Sequence, residues 1–285
     1  MEEDLSAYRG PITELFAAHE SEGSHELTEE QLDFFIKHGS VAGIKVLTSE
    51  QIDRLRSELS RLMAREQANN LLFYEFHLNE STNKDSVLLH ALGAWRVSEA
   101  FHDLLFNAAM TVPARQLLDG KVRFWHDQLF VKPAYDGGIV AWHQDYSYWT
   151  RTKPTAHLTC WIGLDDSTVD NGCVHYIPGS HKWNLLPRGS LADDMNAIFE
   201  RLNDEQKEQF RPVAVELKAG EASFHHPLMI HGSFENRSER PRRAAVVNMI
   251  RDGVVSDSNE PLIEGVPVIS KGQKLSGRFF PLLRS

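Results

Sequence analysis

The sequence predicts a mainly β protein of the α+β class, with two packed antiparallel sheets in a jelly-roll or cupin-like core and N-terminal helices packed outside it. Three observations support this prediction. Helical periodicity is confined mostly to the first third of the chain. Short β-type runs separated by turn residues fill the stretch from about 121 to 251. These runs show no βα alternation, which argues against a parallel sheet.

The N-terminal part, about 26–120, is predicted to be helical. Thr28 followed three residues later by Gln31 forms a capping box that starts a helix, and Gly39 ends it. The segment 97–119 is a further helical stretch. Between them, 48–67 gives the clearest helix signal in the chain, because apolar residues recur at helical spacing: Ile52, Leu55, Leu59 and Leu62.

Nine apolar runs are predicted to be strands. The first, SVAGIKVL, precedes the long helix. The core, about 121–251, holds eight more: KVRFWHDQLFVK, GIVAWHQD, AHLTCWIGL, CVHYIPG, PVAVEL, EASFHH, LMIHGS and RAAVVNMIR. A helical insertion is expected at about 190–210, and the tail, 252–285, reads mostly as loop. We expect residues 1–285 to form a single domain.

The composition narrows the function class. The 285 residues include 40 acidic and 30 basic side chains, a net charge of −10, so binding to nucleic acid or an anionic membrane is disfavoured. The two cysteines, Cys160 and Cys173, form no CxxC pair and fit a reducing compartment. We find no secretory signal and no apolar stretch of membrane-spanning length. A cytoplasmic protein with a small-molecule partner is expected, and the oligomeric state is not predicted.

The segment AWHQDYSYW places His143 and Asp145 two residues apart in a predicted strand. Residues i and i+2 of a strand point to the same face, so the imidazole and the carboxylate project together. Such a pair is often an ordinary polar patch. It is also two thirds of the 2-His-1-carboxylate triad that binds Fe(II) and leaves positions open for substrate and oxygen.

A third ligand has to come from another strand. Six downstream histidines are candidates, and His231 has the most informative neighbours, because Ser233 and Arg242 follow it. A 2-oxo acid could fill two of the remaining iron positions and O2 the last one. Arg242 and Ser233 are suitable groups for its far carboxylate, and Arg242 is expected on the strand next to that of His231. The six candidates are His157, His175, His181, His225, His226 and His231.

Five segments together resemble the phytanoyl-CoA dioxygenase (PhyH) family of Fe(II)/2-oxoglutarate-dependent oxygenases: FVKP, AWHQDYSYW, TCWIGLDD, NGCVHYIPGSH and IHGSFENRSERPRRA. The resemblance covers about 26–251 and implies a double-stranded β-helix fold. It implies Fe(II), 2-oxoglutarate and O2 as the reaction partners of the protein.

The resemblance also implies roles for individual residues. It makes His143, Asp145 and His231 the metal ligands. Trp161 and Gln128 join Arg242 and Ser233 around 2-oxoglutarate. His90 stands where some members of the family have a lysine. Since Asp145 is present, where halogenating relatives have a small residue, hydroxylation of a small molecule with release of succinate and CO2 is favoured.

Other residues have two interpretations each. Tyr146, Tyr148 and Trp149 are candidate substrate contacts, or they pack a loop. His126 lines the pocket, or it is a hydrogen-bonded core histidine. Lys132 attracts an anion, or it is solvated.

Two other function classes remain compatible with a metal-binding barrel. One is a non-catalytic cupin-like sensor, and the other is a cupin enzyme that uses no 2-oxoglutarate. Neither class needs the pairing of Arg242 with Ser233, so these two residues distinguish the alternatives.

Overall fold

Two facing antiparallel sheets form the centre of the protein in the computed structural model, which describes residues 3–17, 25–64, 69–78, 89–135, 138–191 and 194–285. The larger sheet has the strand order β1-β10-β7-β12-β4-β3-β2, and β14 also pairs with β4. Its strands are β1 (Ser40–Lys45), β2 (Glu75–Leu78), β3 (Leu89–Leu92), β4 (Val122–Lys132), β7 (His157–Gly163), β10 (Glu221–His225), β12 (Arg242–Arg251) and β14 (Leu282–Arg284).

The smaller sheet has the strand order β5-β11-β8-β9, and β6 pairs separately with β13. These strands are β5 (Val140–His143), β6 (Thr152–Lys153), β8 (Val174–Tyr176), β9 (Val213–Val215), β11 (His231–Ser233) and β13 (Val255–Ser256). The helices are α1 (Glu29–His38), α2 (Ser49–Leu62), α3 (Glu99–Leu104), α4 (Ala108–Leu118) and α5 (Asp204–Gln209). The predicted two-sheet core with helices outside it is thus confirmed, and none of the helices within the described ranges is both long and apolar enough to cross a membrane.

The helix signals in the sequence were largely right. Thr28 and Gln31 form the expected capping box of α1, and Gly39 ends the helix with a φ of 85°. The helix predicted over 48–67 ends earlier, at Leu62, and its residues 65–67 lie outside the described part of the chain.

Two helical predictions need correction. The stretch 97–119 is divided into α3 and α4, because the Asn107 side chain accepts a hydrogen bond from Ala109 and starts a new helix. The insertion 190–210 contains a short 3-10 helix, Met195–Glu200, and α5, while its residues 192 and 193 lie outside the described ranges.

All nine predicted strands are present. The sequence missed β2, β3, β6, β13 and β14, which are two to four residues long. The tail is mostly loop as predicted, but its last strand, β14, pairs with the beginning of β4.

The two faces of the larger sheet have different partners. Its outer face is apolar and packs with the helices in the main core, which includes Leu55 of α2 and Val247 of β12. Its inner face packs through Trp161 and Val246 against Tyr176 of the smaller sheet. The ladders pair Arg242 with Lys132, and Val246 with both Gln128 and Trp161. Because side chains alternate along a strand, every second residue of these strands shares the inner face. Besides Trp161, this face carries the polar side chains of His126, Gln128, Lys132, Thr159, Arg242 and Asn248.

An aromatic cluster closes one side of the space between the sheets. Trp149 stacks on His157 with ring centroids 5.3 Å apart, and Trp125 meets the same imidazole edge-on at 5.8 Å. Thr152 Oγ1 donates to Trp149 O at 2.7 Å, so His157 Nε2–H is the donor in the 3.1 Å contact with Thr152 Oγ1. Burial lowers the pKa of His157 to about 3.

This histidine is expected to make the protein sensitive to acid. Its folded pKa lies below the ordinary value of 6.5, so the unfolded chain takes up the proton first, and stability is lost as the pH falls from 6.5 toward 3. Between roughly pH 8 and pH 5, one such histidine costs about 2 kcal/mol.

We expect His157→Gln, which keeps an N–H donor, to lose less stability over this range than the unmodified protein, as measured by urea unfolding at several pH values. Above about pH 7.5 the slopes of the two proteins should agree, because the imidazole is neutral in both states there. Parallel curves down to pH 5 would contradict this assignment.

Candidate active site

The central feature of the site is the pairing of β5 with β11 in the smaller sheet. His143 and His231 are direct partners in this ladder, and their ring centroids are 4.2 Å apart. Gly232 allows the close approach, because a Cβ atom there would lie only 2.8 Å from Val140 O and 3.2 Å from the ring of Trp142. The absence of a side chain at position 232 therefore permits the two imidazoles to meet.

Asp145 lies just beyond β5 rather than within it, which corrects the expectation of a continuous strand. β5 ends at His143, Gln144 is extended with φ −112° and ψ 128°, and Asp145 begins a 3-10 helix that ends at Tyr148. The one extended residue preserves the shared orientation of positions 143 and 145. Asp145 Oδ1 lies 3.5 Å from His143 Nε2 and 3.6 Å from His231 Nε2, and one ligand atom from each residue falls within 4.8 Å of the others.

Backbone carbonyls fix the tautomers of the two imidazoles. His143 Nδ1 is 2.8 Å from Ala141 O, and His231 Nδ1 is 3.0 Å from Met229 O. A carbonyl oxygen can only accept, so both Nδ1 atoms carry the hydrogen and both Nε2 atoms keep a lone pair. The Nε2 lone pairs are the ones that face Asp145.

The second oxygen of Asp145 is held by the larger sheet. Asp145 Oδ2 accepts from Thr159 Oγ1 of β7 at 2.7 Å and from His225 Nε2 of β10 at 3.0 Å. Tyr176 Oη is 2.9 Å from His225 Nδ1, so a further side chain orients that imidazole. The two carboxylate oxygens therefore differ in function, since Oδ2 is anchored and Oδ1 faces the two histidines.

Sequence reasoning considered His225 only as a candidate third ligand, and it did not name Asn248, which lies 2.9 Å from the Thr159 hydroxyl. A signal was present for Asn248, because it is the one polar residue inside the apolar run AAVVNMI. His225 had no such signal, since its neighbour His226 has the same chemistry and only the fold shows which of the two faces inward.

The ionisation of the site is set by burial and by close neighbours. Burial would raise the pKa of Asp145, but the imidazoles of His231, His143 and His225 outweigh it, and the pKa lies well below its usual range. Burial also lowers the pKa of His231 well below its usual value. A carboxylate anion and a neutral imidazole are the forms that bind metal.

The donor set fits a non-haem iron site. Two neutral imidazole nitrogens and one carboxylate oxygen approach from one side, which is the arrangement of the 2-His-1-carboxylate facial triad. Among the described residues, these three are the group of His, Cys, Asp and Glu side chains whose geometry could hold a metal ion. The anchoring of Asp145 and the fixed tautomers are the outer interactions that such sites use.

Arg242 lies on the facing sheet, so its expected position on a strand next to β11 was wrong. It begins β12, between β7 and β4 of the larger sheet, while β11 belongs to the smaller one. Its side chain is about 2% exposed, and its Nε has no hydrogen-bond partner in the described part of the chain. The guanidinium carbon lies 5.2 Å from the ring centroid of Trp161. A buried guanidinium without a counter-ion is suited to receive an anionic group.

The other predicted cosubstrate residues lie on both sheets. Trp161 and Gln128 share the inner face with Arg242, as described above. Gln128 Oε1 is 3.1 Å from His90 Nε2, and the His90 ring stacks on Phe130 at 4.7 Å. Ser233 ends β11 and is about 3% exposed.

The predicted substrate residues occupy the aromatic side of the site. Trp149 packs edge-to-face on His126 at 5.5 Å, and the Tyr146 hydroxyl donates to Thr152 O at 2.5 Å. His126 is about 5% exposed and lies 3.3 Å from Asn248 Nδ2. Tyr148, the third candidate substrate contact, meets the His143 ring edge-on at 6.0 Å. These contacts are packing contacts, and a role in substrate binding stays a prediction.

Comparison with known proteins agrees with this geometry. The chain is 28% identical to a phytanoyl-CoA dioxygenase of Arabidopsis thaliana over 254 residues, which is 79% of this chain and 89% of that protein. The carbocyclase SnoK from nogalamycin biosynthesis superposes with a TM-score of 0.72 at 23% identity, covering 90% of this chain and 96% of that one.

The epimerase SnoN from nogalamycin biosynthesis, solved with Fe3+, 2-oxoglutarate (α-ketoglutarate) and nogalamycin RO, superposes with a TM-score of 0.73 at 21% identity, covering 90% and 98% of the two chains. The sequence profile named "Phytanoyl-CoA dioxygenase (PhyH)" matches residues 35–244, well over half of the chain. The chain therefore belongs to the phytanoyl-CoA dioxygenase family of Fe(II)/2-oxoglutarate-dependent oxygenases.

Proposed function

We propose that the chain is a 2-oxoglutarate-dependent dioxygenase that hydroxylates a small molecule, with His143, Asp145 and His231 as iron ligands and Arg242 with Ser233 as the cosubstrate clamp. One observation carries the proposal. Three atoms that could hold a metal ion, all within 4.8 Å of one another, lie between the sheets of a core that also buries Arg242, which forms no ion pair among the described residues. Membership of the family supports the same reaction class.

The protein residues have separate roles in this reaction. When bound, iron(II) supplies the redox chemistry by which O2 oxidises both the substrate and 2-oxoglutarate, which becomes succinate and CO2. The residues that would hold the metal are His143 and His231, through Nε2, and Asp145, through Oδ1. Thr159 and His225 keep the carboxylate from rotating, because they occupy its other oxygen.

Arg242 is proposed to recognise the far carboxylate of 2-oxoglutarate. Its planar guanidinium can donate two parallel hydrogen bonds to a carboxylate, which fixes the orientation of the cosubstrate as well as its position. Trp161 covers the guanidinium and excludes water from one side. Gln128, on the same sheet face, is proposed as a further contact.

Two other classes of function are less consistent with these observations. A metal-binding sensor and a cupin enzyme that uses no 2-oxoglutarate have no use for a buried arginine that, in the described part of the chain, has no counter-ion. Burying such a charge is unfavourable unless a ligand pairs with it, so its presence supports an anionic cosubstrate.

Related proteins act on chemically different small molecules, as the names phytanoyl-CoA dioxygenase and ectoine dioxygenase indicate. We therefore propose a small-molecule substrate and choose experiments that do not require its identity.

The proposal can be tested without the substrate. Anaerobic addition of Fe(II) and then 2-oxoglutarate should produce a weak visible charge-transfer band, and admission of air should discharge it with formation of succinate. Folded protein that gives neither the band nor succinate would contradict the proposal. The substrate can then be sought as the metabolite that gains one oxygen atom in the complete reaction.

Removal of the Thr159 hydroxyl should weaken metal binding. We expect Thr159→Val to lower the affinity for Co(II), used as an oxygen-stable substitute for Fe(II), by about 10- to 100-fold, because Asp145 loses an outer hydrogen bond. Isothermal titration calorimetry measures this affinity.

The matched control for this variant is Thr111→Val. The Thr111 hydroxyl is equally buried and donates to Asn107 O in α4, outside the metal site. The control should lower stability but leave the Co(II) affinity unchanged. Equal Co(II) affinities in the two variants would speak against an anchoring role of Thr159.

Replacement of Arg242 should weaken 2-oxoglutarate binding selectively. We expect Arg242→Ala to cost about 1.5–3 kcal/mol, on the order of 10- to 100-fold in Kd, because charged hydrogen bonds to the cosubstrate are lost. The charge-transfer band, titrated with 2-oxoglutarate under anaerobic conditions, reports this Kd.

The neighbouring residue provides the control. Arg243 points to the opposite side of the sheet and pairs with Asp165 at 2.7 Å, so Arg243→Ala should leave the Kd unchanged. An Arg242→Ala protein that binds 2-oxoglutarate as tightly as the unmodified protein would rule out the clamp.

A further inference from the structure

Lys132, the last residue of β4, is a second buried cation next to Arg242. Its side chain is about 2% exposed, and in the described ranges no carboxylate forms an ion pair with it or with Arg242. Lysine is rarely buried unless it is paired, because its ammonium group is strongly hydrated in water. The sequence analysis left two roles open for Lys132, attraction of an anion or simple solvation by water. Because the side chain is buried, the second of these is wrong.

The two cations are direct neighbours in the sheet. Arg242 and Lys132 are opposite each other in the ladder between β12 and β4, so their side chains leave the same face. Like charges in this position destabilise a sheet. The inner face therefore combines two unfavourable features, the burial of two charges and their mutual repulsion, at one point.

Lys132 also reaches the smaller sheet. Its Nζ donates a hydrogen bond to Phe234 O, the carbonyl of the residue that follows Ser233. The ammonium group consequently lies between β12, which carries Arg242, and the end of β11, which carries Ser233. These two residues are the ones proposed to hold the far carboxylate of 2-oxoglutarate.

The electrostatic surroundings agree with a missing anion. Burial and the charge of Arg242 lower the pKa of Lys132 well below its usual value, and burial lowers the pKa of Arg242 to about 10. An anion placed between the two groups would relieve both effects, because it stabilises each protonated form.

We propose that Lys132 is a specificity-determining residue of the cosubstrate site, where its ammonium group binds the same far carboxylate as Arg242 and Ser233. This inference rests on the proposed function and adds to it. Two cations opposite one carboxylate select a dicarboxylic 2-oxo acid over a monocarboxylic one. A 2-oxo acid with a methyl group in place of the far carboxylate leaves both charges buried and unpaired.

The test compares two ligands of nearly the same shape. 2-Oxopentanoate has the carbon chain of 2-oxoglutarate with a terminal methyl group instead of the carboxylate. Binding of each ligand to the Co(II)-loaded protein is measured by calorimetry. We expect Lys132→Met to weaken 2-oxoglutarate binding by about 10- to 100-fold and to leave 2-oxopentanoate binding equal or tighter. Lys37→Met, a change at an exposed position of α1, should alter neither affinity.

A purely structural role would give a different result. If Lys132 only ties β4 to the end of β11, its replacement lowers the thermal stability and changes the two affinities by the same factor, or not at all. That result would overturn the inference. Lys132→Gln keeps an N–H donor for Phe234 O and removes the charge, so it separates the two roles even if the methionine variant folds poorly. Retention of full selectivity by the folded glutamine variant would likewise overturn it.

The two proposals fail in distinguishable ways. If the unmodified protein with metal binds no 2-oxoglutarate, the proposed function itself is wrong. If it binds 2-oxoglutarate and Lys132→Met binds it equally well, only the role of Lys132 is wrong.

Discussion

The Asp145 carboxylate contacts both sheets of this protein, one through each of its oxygen atoms. Asp145 Oδ2 is bonded to Thr159 and His225 of the larger sheet, while Oδ1 faces the imidazoles of the smaller sheet. The carboxylate is therefore the polar link between the two layers at the point where the metal is proposed to bind. Because these bonds use different oxygen atoms, the scaffold and the metal do not compete for the same lone pairs.

Negative and positive side chains lie in different parts of the space between the two sheets. The carboxylate of Asp145 and its imidazoles lie in one part, and the cations of Arg242 and Lys132 lie in another, within a protein whose net charge is −10. A dianionic cosubstrate whose keto-acid end meets a metal cation and whose far end meets the basic pair complements both parts. The polar residues of the inner face are thus consistent with one bound molecule, whereas the outer face packs mainly against the helices.

Local patterns in the sequence predicted much of this arrangement. The punctuation by turn residues located every longer strand, and the spacing of His143 and Asp145 predicted their shared direction, although the strand ends between them. The prediction that Arg242 lies on a strand next to β11 was wrong. The chain crosses from the smaller to the larger sheet between β11 and β12, and no local sequence pattern indicates this crossing. The position of His225 depends on the strand order as well, since β10 lies beside β7 only in the folded sheet. Lys132 was not recognised as buried because its residue type is usually exposed.

The glycine between His231 and Ser233 has a consequence for the evolution of this fold. Any side chain at position 232 would collide with the backbone of β5, and strand separation is a property of the whole ladder rather than of one atom. A substitution at position 232 would therefore have to move β5 away from β11, so evolutionary change at this glycine would also alter the spacing of the two imidazoles that the same ladder brings together.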